Sequence, residues 1–194
     1  MAKVKKSLSF RNNPLASSRR QLDVLEHEHV HTAFSKKLAE AGLGDLYSRQ
    51  IEIFQINIGK MCNQVCGHCH VDAGPDRKEV MSRDTMQLCL DVLSELPVRK
   101  VDITGGAPEM NPHFRWFIEG LARLKKDIIV RSNLTILVAN KKYNDLPLFF
   151  RNHRVEITSS LPFYNADRTD RQRGEGVFHD SIAALKMLNA AGYG

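Results

Sequence analysis

Cys62-Asn63-Gln64-Val65-Cys66-Gly67-His68-Cys69 places three of the chain's four cysteines within eight residues, in the spacing C-x3-C-x2-C. Thiolates packed this closely repel one another unless a cation or an oxidised partner takes them. Disulfides account for them poorly, because the local count is odd and Cys89 falls in a helical stripe with Met86, Leu90, Leu93 and Leu96. A metal ion or an iron–sulfur cluster suits the set better, since both prefer thiolate ligands. Three thiolates on a four-iron cube leave one iron open to a small molecule. Cys89 reads as a core residue and not as a ligand.

Outward from the cysteines, residues 51–58 read as a strand. Phe54, Ile56 and Ile58 form one apolar face, while Ile51, Ile53, Gln55 and Asn57 form a face that turns polar toward the cysteines, as on a barrel strand approaching a site. Ser82 is placed to cap a helix running to about residue 96, which Pro97 closes. A strand over 100–104 ends at Gly105-Gly106, a helix spans about 112–125, and a third strand spans 127–132. Residues 134–150 suggest a short helix broken near Pro147. A fourth strand at 155–160 is followed by a polar loop and a helix from about 178 to 191, ending at Gly192.

This alternation predicts an α/β fold with a parallel sheet, about four strand–helix units of a partial (β/α) barrel, preceded by an N-terminal helix. The cysteines, the double glycine, Asn133 and Ser160 each follow one of the four strands. They share the C-terminal end of the sheet, where α/β folds place their ligands. A zinc knuckle would not require the later three.

The cysteine spacing resembles the signature of the radical S-adenosylmethionine (radical SAM) superfamily. The stretches Asn57 to Pro75 and Thr104-Gly-Gly-Ala-Pro-Glu-Met-Asn-Pro-His-Phe-Arg115 are similar to its arsenosugar-biosynthesis branch. The resemblance covers about residues 35–194. It implies that Cys62, Cys66 and Cys69 hold a [4Fe-4S] cluster whose open iron takes the amino and carboxylate groups of S-adenosylmethionine. One electron through the cluster would then release a 5′-deoxyadenosyl radical, which this branch adds to a trivalent methylated arsenical. Gly105 and Gly106 match the family's glycine motif, with Ala107 where Glu is usual and Glu109 two residues on. Asn133, Ser160 and Arg173 (of Arg173-Gly174) are further cofactor-binding candidates, a guanidinium suiting a carboxylate through paired donors in one plane. His68 stands where the family often has an aromatic residue that contacts adenine. Expected partners are a small-molecule substrate and a low-potential electron donor such as flavodoxin or ferredoxin. Family members continue beyond this point, so the chain reads as an N-terminal part of such an enzyme, and an inactive truncated fragment is one alternative. Others are a radical SAM reaction on a peptide or other metabolite, and a Cys3His zinc module using His68 or His70.

Composition narrows the setting. The chain has 194 residues and a net charge of +6, but its first 20 residues hold six basic side chains and no acid, leaving 22 basic against 22 acidic elsewhere. Residues 1–20 are expected to be a basic disordered tail, 21–50 a helical extension with a helix over 21–43, and 51–194 the core. The His27-Glu-His-Val-His31 run reads as a solvated helical face. No apolar run approaches the roughly 18 to 20 residues of a membrane span. Nucleic-acid binding is not expected of a neutral core, and the absence of a secretory signal argues for a reducing cytoplasm.

Overall fold

The computed structural model describes residues 6–27 and 32–194. Its centre is a four-stranded, all-parallel sheet in the order β1-β2-β3-β4, formed by Ile53–Asn57, Lys100–Thr104, Asp127–Ser132 and Glu156–Ser159. Helix α3 (Arg83–Glu95) connects β1 to β2, and α4 (Phe114–Arg123) connects β2 to β3. The two short helices α5 (Ile136–Ala139) and α6 (Leu146–Asn152) connect β3 to β4. The expected α/β arrangement of strand–helix units is therefore the observed one, and it forms a partial barrel.

One face of the sheet makes the core. Ile56, Val101, Ile103, Ile128 and Val130 are buried against Met86 and Leu93 of α3 and Phe117, Ile118 and Leu121 of α4. Burying each such side chain contributes about 1.5–3 kcal/mol. Phe114 and Phe150 meet edge to face, with ring centroids 6.0 Å apart, and pin α4 to α6. Ser82 caps α3 as expected, its hydroxyl accepting from the Thr85 N–H at 3.2 Å. Cys89 is half-buried and packs against this core from α3.

The opposite face is the barrel interior, and it is polar. Gln55 aligns with Asp102, and Arg131 aligns with Thr158, in the parallel register. Gln55 donates to Asp102 at 2.8 Å, and Arg131 grips the same carboxylate with two nitrogens.

Several local expectations need correction. Residues 21–43 are not one helix: α1 (Ser18–His27) and α2 (Phe34–Glu40) are separate, and Ala33 before α2 is extended at φ −50°, ψ 140°. His29 and His31 lie outside the described residues, and His27 bonds within its own helix to the Asp23 carbonyl at 2.6 Å. The polar loop after β4 contains a helix, α7 (Ala166–Arg173), capped by Asn165; only Thr169 and Arg173 are buried, so it shows no apolar stripe. The last helix, α8, spans Val177–Ala190. Residues 6–20 do not form a disordered tail either. Ser7 to Ser9 bond to the carboxylates of Asp72 and Asp76, and a 3-10 turn at Pro14–Ala16 leads into α1. Among the described residues, no helix is long and apolar enough to cross a membrane.

Candidate functional site

The cysteine loop leaves β1 along a path fixed by backbone hydrogen bonds. Cys62 N–H donates to the Gly74 carbonyl at 3.2 Å, and Gly74 N–H returns to Lys60 at 3.1 Å, so the loop closes on itself. Within it, Cys69 N–H donates to the Cys66 carbonyl at 3.3 Å, and the Ala73 N–H reaches the Cys69 sulfur at 3.2 Å. Gly67 N–H donates to the Gln172 carbonyl at 3.0 Å, which ties the far side of the loop to α7.

Gly105 and Gly106 are where the second strand's end meets this loop. A Cβ on Gly106 would lie 2.4 Å from the Met61 carbonyl oxygen, and one on Gly105, at φ +150°, would lie 2.7 Å from the Gly59 oxygen. Their lack of side chains lets Gly106 and Ala107 donate to the Gly59 and Met61 carbonyls, both at 2.9 Å. The glycine pair thus seats the cysteine loop on β2, a packing role the motif alone does not reveal.

Cys62, Cys66 and Cys69 line one cavity of about 230 Å³ at the C-terminal ends of the strands. Gly105, Gly106, Asn133, Ser160, Arg173 and His68 line the same cavity, so it gathers nine of the ten candidate residues. Glu109 is the exception. It is buried in the short turn Pro108–Met110 and does not reach the cavity wall. Sequence reasoning missed Gln64, Thr104, Arg131 and Thr158, which also line the cavity. The period-2 alternation of β2, β3 and β4 is the signal that would have found the last three.

The surroundings favour the neutral thiol at Cys62. Burial pushes the Cys62 thiol up to about 11, neighbouring Cys66 and Cys69 add to this, and hydrogen bonds from the Gln64 N–H and Asn133 amide offset only part. Among the described residues, none of the four cysteines is in a disulfide. Among the described residues, no three His, Cys, Asp or Glu side chains converge closely enough to hold a single ion. The three thiols instead share a cavity wall.

Arg173 is 6% exposed and joins three elements: from the end of α7 it donates to the Ser160 carbonyl at 2.7 Å and to Gln64 Oε1 at 3.2 Å. Its Nε is buried without a partner. Glu109 shows the opposite imbalance. Neither carboxylate oxygen has a hydrogen-bond partner of full geometry, and burial raises the group to about 7 despite the nearby Ser132 hydroxyl. A wider cavity of about 710 Å³ lies at the N-terminal ends of the strands, between Lys100, Lys125 and Arg154. It contains no thiol, and parallel α/β folds bind their ligands at the other end.

No protein-family model matches the chain. It is 30% identical over 91 residues to a probable GTP 3',8-cyclase of Sulfolobus acidocaldarius, covering 47% of this chain and 28% of that one. It is 24% identical over 132 residues to the antilisterial bacteriocin subtilosin biosynthesis protein AlbA of Bacillus subtilis, covering 68% and 29%. The chain therefore spans under a third of the length of these curated relatives. Among solved structures, SuiB of Streptococcus suis bound to S-adenosylmethionine superposes with a TM-score of 0.53 at 18% identity, over 91% of this chain and 38% of that one. In fold the chain is similar to this S-adenosylmethionine-bound structure, and in sequence it is similar to a probable GTP 3',8-cyclase and to AlbA.

Proposed function

We infer that this chain is the cofactor-binding part of a radical SAM enzyme, in which Cys62, Cys66 and Cys69 hold a [4Fe-4S] cluster with S-adenosylmethionine beside it. The observation that carries this reading is the meeting of three thiols, the double glycine and Arg173 on one cavity at the C-terminal ends of the strands. Three cysteines lining one cavity suit a cluster held by thiolates. When bound, the cluster would supply the single electron that cleaves the sulfonium of S-adenosylmethionine to a 5′-deoxyadenosyl radical.

The chain's own residues have distinct tasks in this reading. Asn133 and the Gln64 N–H orient the Cys62 sulfur, and Gly105 and Gly106 hold the loop while leaving the cavity floor open. Arg173 keeps Gln64 and the end of β4 together and presents positive charge to the cofactor carboxylate; its unpartnered Nε supports that role. Ser160 and His68 complete the wall. Glu109 is the candidate for the cofactor amino group. Its two unpaired oxygens favour the role, and its place behind the wall counts against it. Cysteines outside any disulfide suit a reducing cytoplasm.

The substrate we assign is a trivalent methylated arsenical. The carbon–sulfur bond of S-adenosylmethionine would be exchanged for a carbon–arsenic bond, with methionine leaving, the sulfonium reduced to a thioether and arsenic oxidised from trivalent to pentavalent. This assignment rests on the resemblance of residues 57–75 and 104–115 to the arsenosugar branch. A peptide substrate is the second reading, and the similarity to a bacteriocin-biosynthesis protein favours it. Anaerobic incubation with S-adenosylmethionine, a reductant and dimethylated arsenite decides between them. Formation of an adenosylated arsenical supports the first reading. Formation of 5′-deoxyadenosine without it, whatever the arsenical concentration, removes the arsenical.

A further inference from the structure

The segment before α1 is built into the back of the cysteine loop. Ser7 is fully buried, and its N–H and hydroxyl donate to the Asp76 carboxylate at 3.0 and 2.5 Å. Leu8 and Ser9 N–H groups donate to Asp72 at 2.5 and 2.8 Å, and Arg77 holds the same carboxylate at 2.6 Å. Charge-assisted hydrogen bonds of this kind are the strong ones. Two carboxylates of the loop thus fix where the basic segment lies.

A second cavity, of about 200 Å³, results. Lys6 and Arg11 from the segment and Arg171 from α7 line it, together with Cys66, Cys69 and Asp72 of the loop. Cys66 and Cys69 therefore stand in the wall between this cavity and the one that would hold the cofactor. Among the described residues, Asp72 is the only acid on the lining and Arg77 matches it, while Asp76 beside the segment partly offsets Lys6. Among the described residues, Lys6, Arg11 and Arg171 form no salt bridge, and Arg11 and Arg171 are exposed. Lys6 lies 3.7 Å over the Phe10 ring, which leaves its charge intact.

Long, exposed cations at a rim select a charged surface more than they enclose a small molecule. What sets this rim apart is its place behind two of the three cluster thiols. The reading under Proposed function needs one electron from outside, and the front cavity is taken by cofactor and substrate. We propose that the face formed by Lys6, Arg11 and Arg171 seats an acidic one-electron carrier protein of the flavin or iron–sulfur class, whose electron enters through Cys66 and Cys69. The transfer is balanced: the reduced carrier loses one electron, the cluster gains it, and no bond forms or breaks. The inference rests on the cluster reading, but the docking face is testable apart from it.

The test uses the full chain and flavodoxin, an acidic flavoprotein, with two readouts. One is affinity, from the anisotropy of the flavin at low and moderate salt. The other is the rate at which reduced flavodoxin bleaches the absorbance of the anaerobically reconstituted chain. Lys6→Glu, Arg11→Glu and Arg171→Glu are each expected to lower affinity and rate about tenfold at low salt and to flatten the salt dependence. Reduction by the small cation methyl viologen radical should not slow in these variants. Lys125→Glu, at the N-terminal end of the strands, serves as the control and should match the parent chain. Unchanged affinity in all three variants, or an equal loss in the control, overturns the proposal. Failure of the parent chain to acquire cluster absorbance overturns the cluster reading instead, and the affinity readout, which needs no cluster, still decides the docking face.

Discussion

Arg131 on β3 donates to Asp102 on β2 through Nε at 2.9 Å to Oδ1 and Nη2 at 2.7 Å to Oδ2, a two-pronged ion pair laid across the barrel interior. Asp102 is buried and also accepts from Gln55, while the Arg131 side chain is half-exposed and lines the cavity that holds the three cysteines. A buried carboxylate thus holds a cationic side chain in place at the candidate site.

Arg131, and to a lesser degree Gln55, hold the Asp102 carboxyl below its ordinary value of 3.8. A carboxyl lowered in the folded state stabilises the fold above its unfolded pKa, and that contribution is lost as pH falls through the folded one. Asp102→Asn should therefore be less stable than the parent chain at pH 7 by about 2 kcal/mol, a figure kept low because Arg131 is half-exposed. The gap should close toward pH 3. Urea midpoints measured across that range check both the size and the sign.

Glu109 should behave in the opposite sense. Burial raises its carboxyl from 4.5 to about 7, so the folded chain bears a cost that is absent below the unfolded pKa and complete above the folded one. Glu109→Gln should be more stable than the parent at pH 8, by on the order of 1–3 kcal/mol, and equal to it near pH 4. Thermal midpoints at the two pH values test this. A separate measurement of S-adenosylmethionine affinity in the same variant tests the amino-group assignment.

Gly106→Ala should cost about 2 kcal/mol or more, because its Cβ would meet the Met61 carbonyl oxygen at 2.4 Å and the backbone of the loop must shift. The displaced loop carries Cys62, so iron uptake should fall together with the melting temperature. A variant with wild-type stability and wild-type iron content would show that the loop yields easily.

How much of this was legible in the sequence varies with the physical signal available. The strands at 100–104 and 127–132 carry β-branched Val101, Ile103, Ile128, Ile129 and Val130, are followed by Gly105 and Asn133, and have bounds that match the structure. The cysteine spacing and the double glycine pointed to the C-terminal end of the sheet, and there they line one cavity, because loops after parallel strands converge at that end. Helix α7 was hidden, since a helix that buries only Thr169 and Arg173 has no apolar period. The docking of Ser7 to Ser9 was hidden for another reason: its partners, Asp72 and Asp76, lie more than 60 residues away, and composition records only positive charge. Glu109 was placed by its motif beside the glycines, but the turn at Pro108–Met110 carries it behind the wall. Arg131 reads as an ordinary strand charge until the register, which pairs Asp102 with Ile129, puts it two residues further along the same face and within reach of that carboxylate.

In the proposed reading the cysteines divide into ligands and packing. Cys62→Ala, Cys66→Ala and Cys69→Ala should each abolish cluster assembly. Cys89→Ala, half-buried against the core, should keep the cluster and cost about 1 kcal/mol in packing. Iron and sulfide analysis of the four variants, with denaturation curves, separates the two classes. Loss of the cluster in a folded Cys89→Ala chain would contradict the assignment.

The most direct measurement is electron paramagnetic resonance of the chain after anaerobic reconstitution with iron and sulfide and chemical reduction, recorded with and without S-adenosylmethionine. The account predicts a four-iron signal that changes when S-adenosylmethionine is added, as an open iron beside a cofactor cavity requires. A colourless protein that keeps one tightly bound zinc, or a four-iron signal indifferent to S-adenosylmethionine, would contradict it.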